Sequence, residues 1–145
     1  MKSGEPCGSF SILIIDDSSA MRSITSDILE SFGHRVWQAE NSKDGLSLFE
    51  EIYFDLVILD VNMPDMDGPK VYRELLLLNP TVNVIVYSSE SQTAVSAKFA
   101  PFAVPYFLHK PVDITLLYET VNIAIKGSEL LTHNNVWQDK NVLLT

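Results

Sequence analysis

Along the middle of the chain, short apolar runs alternate with stretches of helical spacing. Five runs, at 10–15, 35–39, 55–59, 83–87 and 106–109, are apolar on consecutive residues and bounded by turn or cap residues. Such runs predict strands buried on both faces. Between them, Met21, Ile24, Ile28 and Phe32 recur every three or four positions, with Ser18 or Ser19 as N-cap and Gly33 as stop. Leu46, Phe49 and Ile52 follow Ser42, and Val71, Leu75 and Leu78 follow Pro69, a residue suited to a first helical turn. Ile114, Leu117, Val121 and Ile125 follow the cap candidate Asp113. The weakest helix is 91–99, rich in Ser and Thr, with Ala94, Val95 and Phe99 as its apolar side. The order is strand then helix, five times over. Strands apolar on both faces need helices on both sides, which predicts an α/β, doubly wound parallel sheet with right-handed crossovers.

Two less regular ends frame this middle. Residues 1–9 read as a flexible lead-in, 10–126 as the domain, and 127–145 as a helical extension or linker fragment, with Lys126-Gly127-Ser128 as a break. A chain of 145 residues with 46% hydrophobic content suits one folded domain. A net charge of −9 repels phosphate backbones, which argues against nucleic acid or an anionic membrane as partner. The single cysteine, Cys7, excludes an internal disulfide and a cysteine-built zinc site. No apolar run is long enough to span a bilayer, and residues 1–10 lack a signal-peptide core, so a cytoplasmic setting is expected.

The chemistry gathers at the strand ends. The first strand ends in Asp16-Asp17, the third in Asp60, the fourth in Ser88-Ser89 and the fifth in Lys110. In a parallel sheet these groups share one edge, where open α/β sheets build their sites. Three neighbouring carboxylates repel one another, and a hard divalent cation relieves that repulsion. Mg²⁺, with Mn²⁺ as an alternative, and the Lys110 ammonium together match the three negative charges. A phosphoryl group on Asp60 would keep both as counter-charges, with Ser88 donating to a phosphoryl oxygen.

The strings Ile14-Ile15-Asp16-Asp17-Ser18, Leu59-Asp60-Val61-Asn62-Met63-Pro64-Asp65-Met66-Asp67-Gly68, Val84-Ile85-Val86-Tyr87-Ser88-Ser89 and Phe107-Leu108-His109-Lys110-Pro111 occur in one order. Together they resemble the receiver domain of two-component response regulators, over roughly 10–126. The resemblance implies a flavodoxin-like (βα)5 fold with a five-stranded sheet in order 2-1-3-4-5. It implies Asp60 as phosphoacceptor, a metal held by Asp17, Asp60, the Asn62 backbone carbonyl and, through water, Asp16, and Lys110 as site lysine. Ser88 matches the switch hydroxyl and Phe107 the switch aromatic. Asn62 and Glu90 match the positions that tune hydrolysis, in a pattern similar to chemotaxis-type receivers, which implies a short-lived phosphoryl state. The implied partners are a sensor histidine kinase or phosphotransfer protein, a downstream effector the sequence does not name, and a second copy through the fourth helix, fifth strand and fifth helix. The implied chemistry is Mg²⁺-dependent self-phosphorylation and autodephosphorylation rather than a dedicated enzyme activity. Two features depart from the family: Ser89 stands where a small residue is usual, and Ala103-Val104-Pro105 replaces a Gly-Ala pair.

Other readings compete. A phosphatase of the haloacid-dehalogenase type would need a second Asp where Asn62 stands. A flavin protein of this topology would need a Ser/Thr/Gly-rich first loop, where Asp16-Asp17 would repel a phosphate. A phosphorylation-independent module would lack an acid, the acceptor or the lysine. His34, His109 and His133 lack ligand spacing, and Trp37 and Trp137 read as packing residues.

Overall fold

The computed structural model describes residues 8–64, 67–104 and 106–134, with 127–134 described by their backbone only. The lead-in through Cys7, Asp65, Met66, Pro105 and the tail with Trp137 lie outside the described residues, as do the side chains of Leu130, Leu131 and His133. The elements are β1 (Ser11–Ile15), α1 (Ser19–Ser31), β2 (Arg35–Ala39), α2 (Ser42–Glu51), β3 (Leu56–Asp60), α3 (Gly68–Leu78), β4 (Asn83–Ser88), α4 (Gln92–Phe99), β5 (Tyr106–His109) and α5 (Ile114–Asn134). The strands form one parallel sheet in order β2-β1-β3-β4-β5. The order reverses between β1 and β3, so a crevice opens beyond the carboxyl ends of those two strands.

Alternation along each strand splits the core in two. Leu13, Ile15, Val57, Leu59, Val84 and Val86 pack with Phe49 of α2, Val71, Tyr72 and Leu75 of α3, and Val95 and Phe99 of α4. On the other face Ile12, Ile14, Leu56, Ile58, Ile85 and Leu108 pack with Leu29 of α1 and with Leu117, Val121, Ala124 and Ile125 of α5. Each helix starts on a side-chain cap. Ser18, Asn41, Asp67 and Ser91 accept from backbone N–H groups of Met21, Asp44, Lys70 and Ala94. Asp113 does the same for Leu116 at 3.0 Å. These bonds satisfy donors that a helix leaves open at its first turn. Even α4, poor in strong helix formers, is fixed this way at one end and by buried Val95 and Phe99 along its length.

Several details differ from the periodic pattern. Ile24 is 48% exposed and Ile114 57%, while Thr25 and Ser26 are buried with Leu29. The buried stripe of α1 is thus rotated from the most apolar stripe, because short side chains let the helix approach the sheet. Leu78 and Ala94 are also exposed. Asp60 and Ser88 are the last residues of their strands rather than the first beyond them, and α5 passes through Gly127 where a break was expected. No helix of the described residues is long and apolar enough to cross a membrane.

Gly45 of α2 faces β1 without room for a side chain: a Cβ there would lie 2.8 Å from Ile15 Cγ1. Gly45→Ala gains about 1 kcal/mol in helix propensity. Overpacking against a buried Ile costs about 1–3 kcal/mol. Net destabilisation is expected in urea unfolding, and a higher midpoint for the variant would contradict this packing.

Candidate functional site

Asp16 continues the line of β1, its N–H donating to Ala39 O at 3.1 Å. Asp16 is 1% exposed and Asp60 2%, while Asp17 is open to solvent. Carboxylate oxygens of all three lie within 4.8 Å of one another. One Asp16 oxygen, Oδ1, accepts from Ser18 N at 2.9 Å. The other, Oδ2, is buried with no hydrogen-bond partner. Burial, only partly offset by the Ser18 N–H, together with the Asp60 carboxylate pushes the Asp16 carboxyl up to about 6. A buried carboxylate oxygen without a donor, facing two more acids, fits an oxygen-seeking cation better than any other ligand class.

Asp60 is held from two sides. Lys110 Nζ donates to its Oδ1 at 2.9 Å and Asn62 N at 2.8 Å. Both fall on Oδ1, and no bond of similar kind to Oδ2 is seen among the described residues. Lys110 is placed by its own backbone, whose N–H donates to Ser88 O at 2.8 Å and extends the β4–β5 ladder. Three strands away from Asp16, the sheet itself therefore carries the ammonium to the acids, on the edge the sequence assigned to it.

The β4–α4 loop closes the other side. Ser88 is fully buried, and its Oγ accepts from Glu90 N at 2.9 Å. Asn62 Oδ1 accepts from Ser89 N at 2.8 Å and Ser89 Oγ at 3.3 Å, a clasp between the loops after β3 and β4. The Glu90 carboxylate pairs with Lys98 Nζ of α4 at 2.9 Å. That pair is exposed and adds little stability. Phe107 is half-buried and packs with the α2–α4 side of the core, beside Val86 in the β4–β5 register.

Asp16, Asp17, Asp60, Asn62 and Lys110 thus share one small volume, with Ser88 and Ser89 on its rim and Phe107 three residues before Lys110 on β5. Two neighbours escaped the sequence reading. Arg22 of α1 donates through Nη1 to the Asp16 carbonyl oxygen at 2.7 Å and through Nε to Gln38 Oε1 at 3.3 Å, tying the acidic loop to α1 and β2. Tyr87 lies beneath Lys110 and pairs with Asp60 in the β3–β4 register. The Ser18 bond that caps α1 also sits beside the acids. Ser18→Ala is expected to lower stability by about 1 kcal/mol, read as a lower thermal midpoint; an unchanged midpoint would contradict the cap.

The family model described as the response regulator receiver domain matches residues 12–122. The chain is 30% identical over 118 residues to the transcriptional regulatory protein ZraR of Salmonella typhimurium, covering 81% of this chain and 27% of that protein. It is 29% identical over 116 residues to the chemotaxis protein CheY of Thermotoga maritima, covering 79% of this chain and 97% of the relative. The crystal structure of a CheY-like response regulator receiver domain protein from Methanospirillum hungatei superposes with a TM-score of 0.77 at 27% identity, over 84% of this chain and 98% of that one. The chain therefore spans about a quarter of the ZraR sequence and nearly all of the CheY sequence.

Proposed function

Because the chain belongs to the response regulator receiver domain family, we propose that it is a phosphorylation-controlled switch with Asp60 as the acceptor. The observation that most supports this reading is the site's combination of an unpartnered buried Asp16 oxygen with a Lys110–Asp60 ion pair. Asp17, Asp60 and the Asn62 backbone carbonyl would hold Mg²⁺, or Mn²⁺, with Asp16 reaching it through water. The cation supplies positive charge to the acids and to the phosphoryl oxygens.

Asp60 Oδ2 is the oxygen left for attack, since Lys110 and Asn62 engage Oδ1. It attacks the phosphorus of a phosphohistidine on a sensor kinase or phosphotransfer protein. The new O–P bond forms as the P–N bond breaks, and its electron pair leaves with the imidazole. With acetyl phosphate the bond that breaks is P–O, and its electron pair leaves with acetate. Lys110 neutralises one phosphoryl oxygen, and Ser88 Oγ turns from Glu90 N to donate to another. That movement pulls on the β4–α4 loop and frees space into which Phe107 repacks, reshaping the face of α4, β5 and α5. A downstream effector or a second copy reads that face. A few new charge-assisted bonds thereby bias a two-state element. With Asn62 and Glu90 at the tuning positions, the acyl phosphate is short-lived; a lifetime of many hours in purified protein with Mg²⁺ would contradict this. The chain works in the cytoplasm, as a domain at residues 10–126, without nucleic acid contacts of its own.

Calorimetric titration of beryllofluoride in Mg²⁺ tests the reading. One saturable site that disappears when Mg²⁺ is chelated is expected, and absence of binding would overturn it.

A further inference from the structure

Tyr87 is an aromatic residue in a strand whose other buried apolar residues, Val84, Ile85 and Val86, are aliphatic. Its ring is almost wholly buried and lies beside Asp60 on one side and Leu108 on the other in the sheet register. Lys110 Nζ stands over the ring, 5.0 Å from its centroid, while reaching Asp60 Oδ1 at 2.9 Å. The ammonium thus has two partners at right functions: a carboxylate that attracts it and a π face that supports it from below. A lysine is a compact charge on a flexible stem, and one carboxylate alone does not fix its position. A ring face within about 6 Å of a cation attracts it through the ring quadrupole. The hydroxyl is not the useful part. It points toward Thr25 of α1 without closing a hydrogen bond, and both hydroxyls are buried without a partner.

We infer that Tyr87 is a positioning residue whose ring face holds the Lys110 ammonium where the oxygens of a phosphoryl group on Asp60 require it. The inference rests on Asp60 being the acceptor. A ring at position 87 is required and its hydroxyl is dispensable.

The test keeps the shape of the ring and changes its charge distribution. Tyr87→Phe serves as reference, and phenylalanine analogues carrying one, three or five ring fluorines then replace it, since fluorine withdraws density from the face. Beryllofluoride affinity is measured in saturating Mg²⁺, and Mg²⁺ affinity is measured alone. Tyr87→Phe is expected to bind beryllofluoride within about twofold of wild type, and the fully fluorinated ring to lose roughly threefold to tenfold, in graded steps. Mg²⁺ affinity and the thermal midpoint are expected to stay constant across the series. Tyr87→Leu should show the same selective loss, which Tyr87→Phe does not. A flat series, or Mg²⁺ affinity falling in parallel with beryllofluoride affinity, would overturn the inference while leaving Asp60 as acceptor. A wild-type protein that binds no beryllofluoride would instead overturn the acceptor reading on which it rests.

Discussion

Asp60→Asn is expected to take up no phosphoryl group from acetyl phosphate or phosphoramidate, while wild-type protein in Mg²⁺ gains one per chain. The carboxylate supplies the nucleophilic oxygen, and a neutral amide oxygen does not form an acyl phosphate. The substitution removes one charge from the acidic cluster but changes the local shape little. Asn keeps the shape of Asp, and its carbonyl oxygen can still accept from Asn62 N and Lys110 Nζ, the two donors now at 2.8 and 2.9 Å. Intact mass before and after donor treatment measures uptake, and near-ultraviolet circular dichroism confirms that the fold persists. Undiminished labelling of the variant would place the acceptor elsewhere.

The second large effect is on stability without a divalent cation. The Asp16 carboxyl is raised from 3.8 to about 6, by burial first and by the neighbouring Asp60 carboxylate. In the folded state it therefore holds its proton more tightly than in the unfolded chain. Between those two pH values the native state binds more protons, so stability falls as pH rises. The penalty is absent below about pH 4, grows through the window and is complete above about pH 6. It amounts to something on the order of 3 kcal/mol. Asp16→Asn removes it, because its amide can still accept from Ser18 N and can donate where Oδ2 now has no partner. The difference in unfolding free energy between Asp16→Asn and wild type is expected to open across pH 4–6 in chelator and to shrink when Mg²⁺ is added at neutral pH. Mg²⁺ stabilises only the state that assembles its ligands. A difference that is flat with pH, or unaffected by Mg²⁺, would contradict an uncompensated acidic cluster.

Much of this architecture is written in the local pattern of residues. Strands buried on both faces must be apolar on consecutive positions, so 12–15, 56–59 and 84–87 stand out, and the polar residues at their ends mark the edge where a site forms. The flavin and haloacid-dehalogenase alternatives give way to the receiver family, whose model spans 12–122. What local pattern does not carry is partnership between distant groups. Arg22 acts on a backbone carbonyl, Asp16 O, which has no side-chain signature. Asn62 and Ser89 meet across 27 positions of sequence. Tyr87 looks like any core aromatic until Lys110 is seen above it. Helix faces also depart from the periodic pattern where packing outweighs hydrophobicity. Ile24 lies outward and Thr25 inward because the closest approach of α1 to the sheet takes a small side chain. Gly127 does not end α5, since the local cost of a helical glycine is only about 1 kcal/mol.

The central claim concerns which residue carries the phosphoryl group. Wild-type protein is treated with acetyl phosphate and Mg²⁺, quenched with borohydride, digested and sequenced by mass spectrometry. Borohydride reduces an aspartyl phosphate to homoserine, so the modified residue records itself. Homoserine at position 60 and nowhere else is the expected result. Homoserine at Asp16, Asp17 or another acid, with Asp60 intact, would contradict the account.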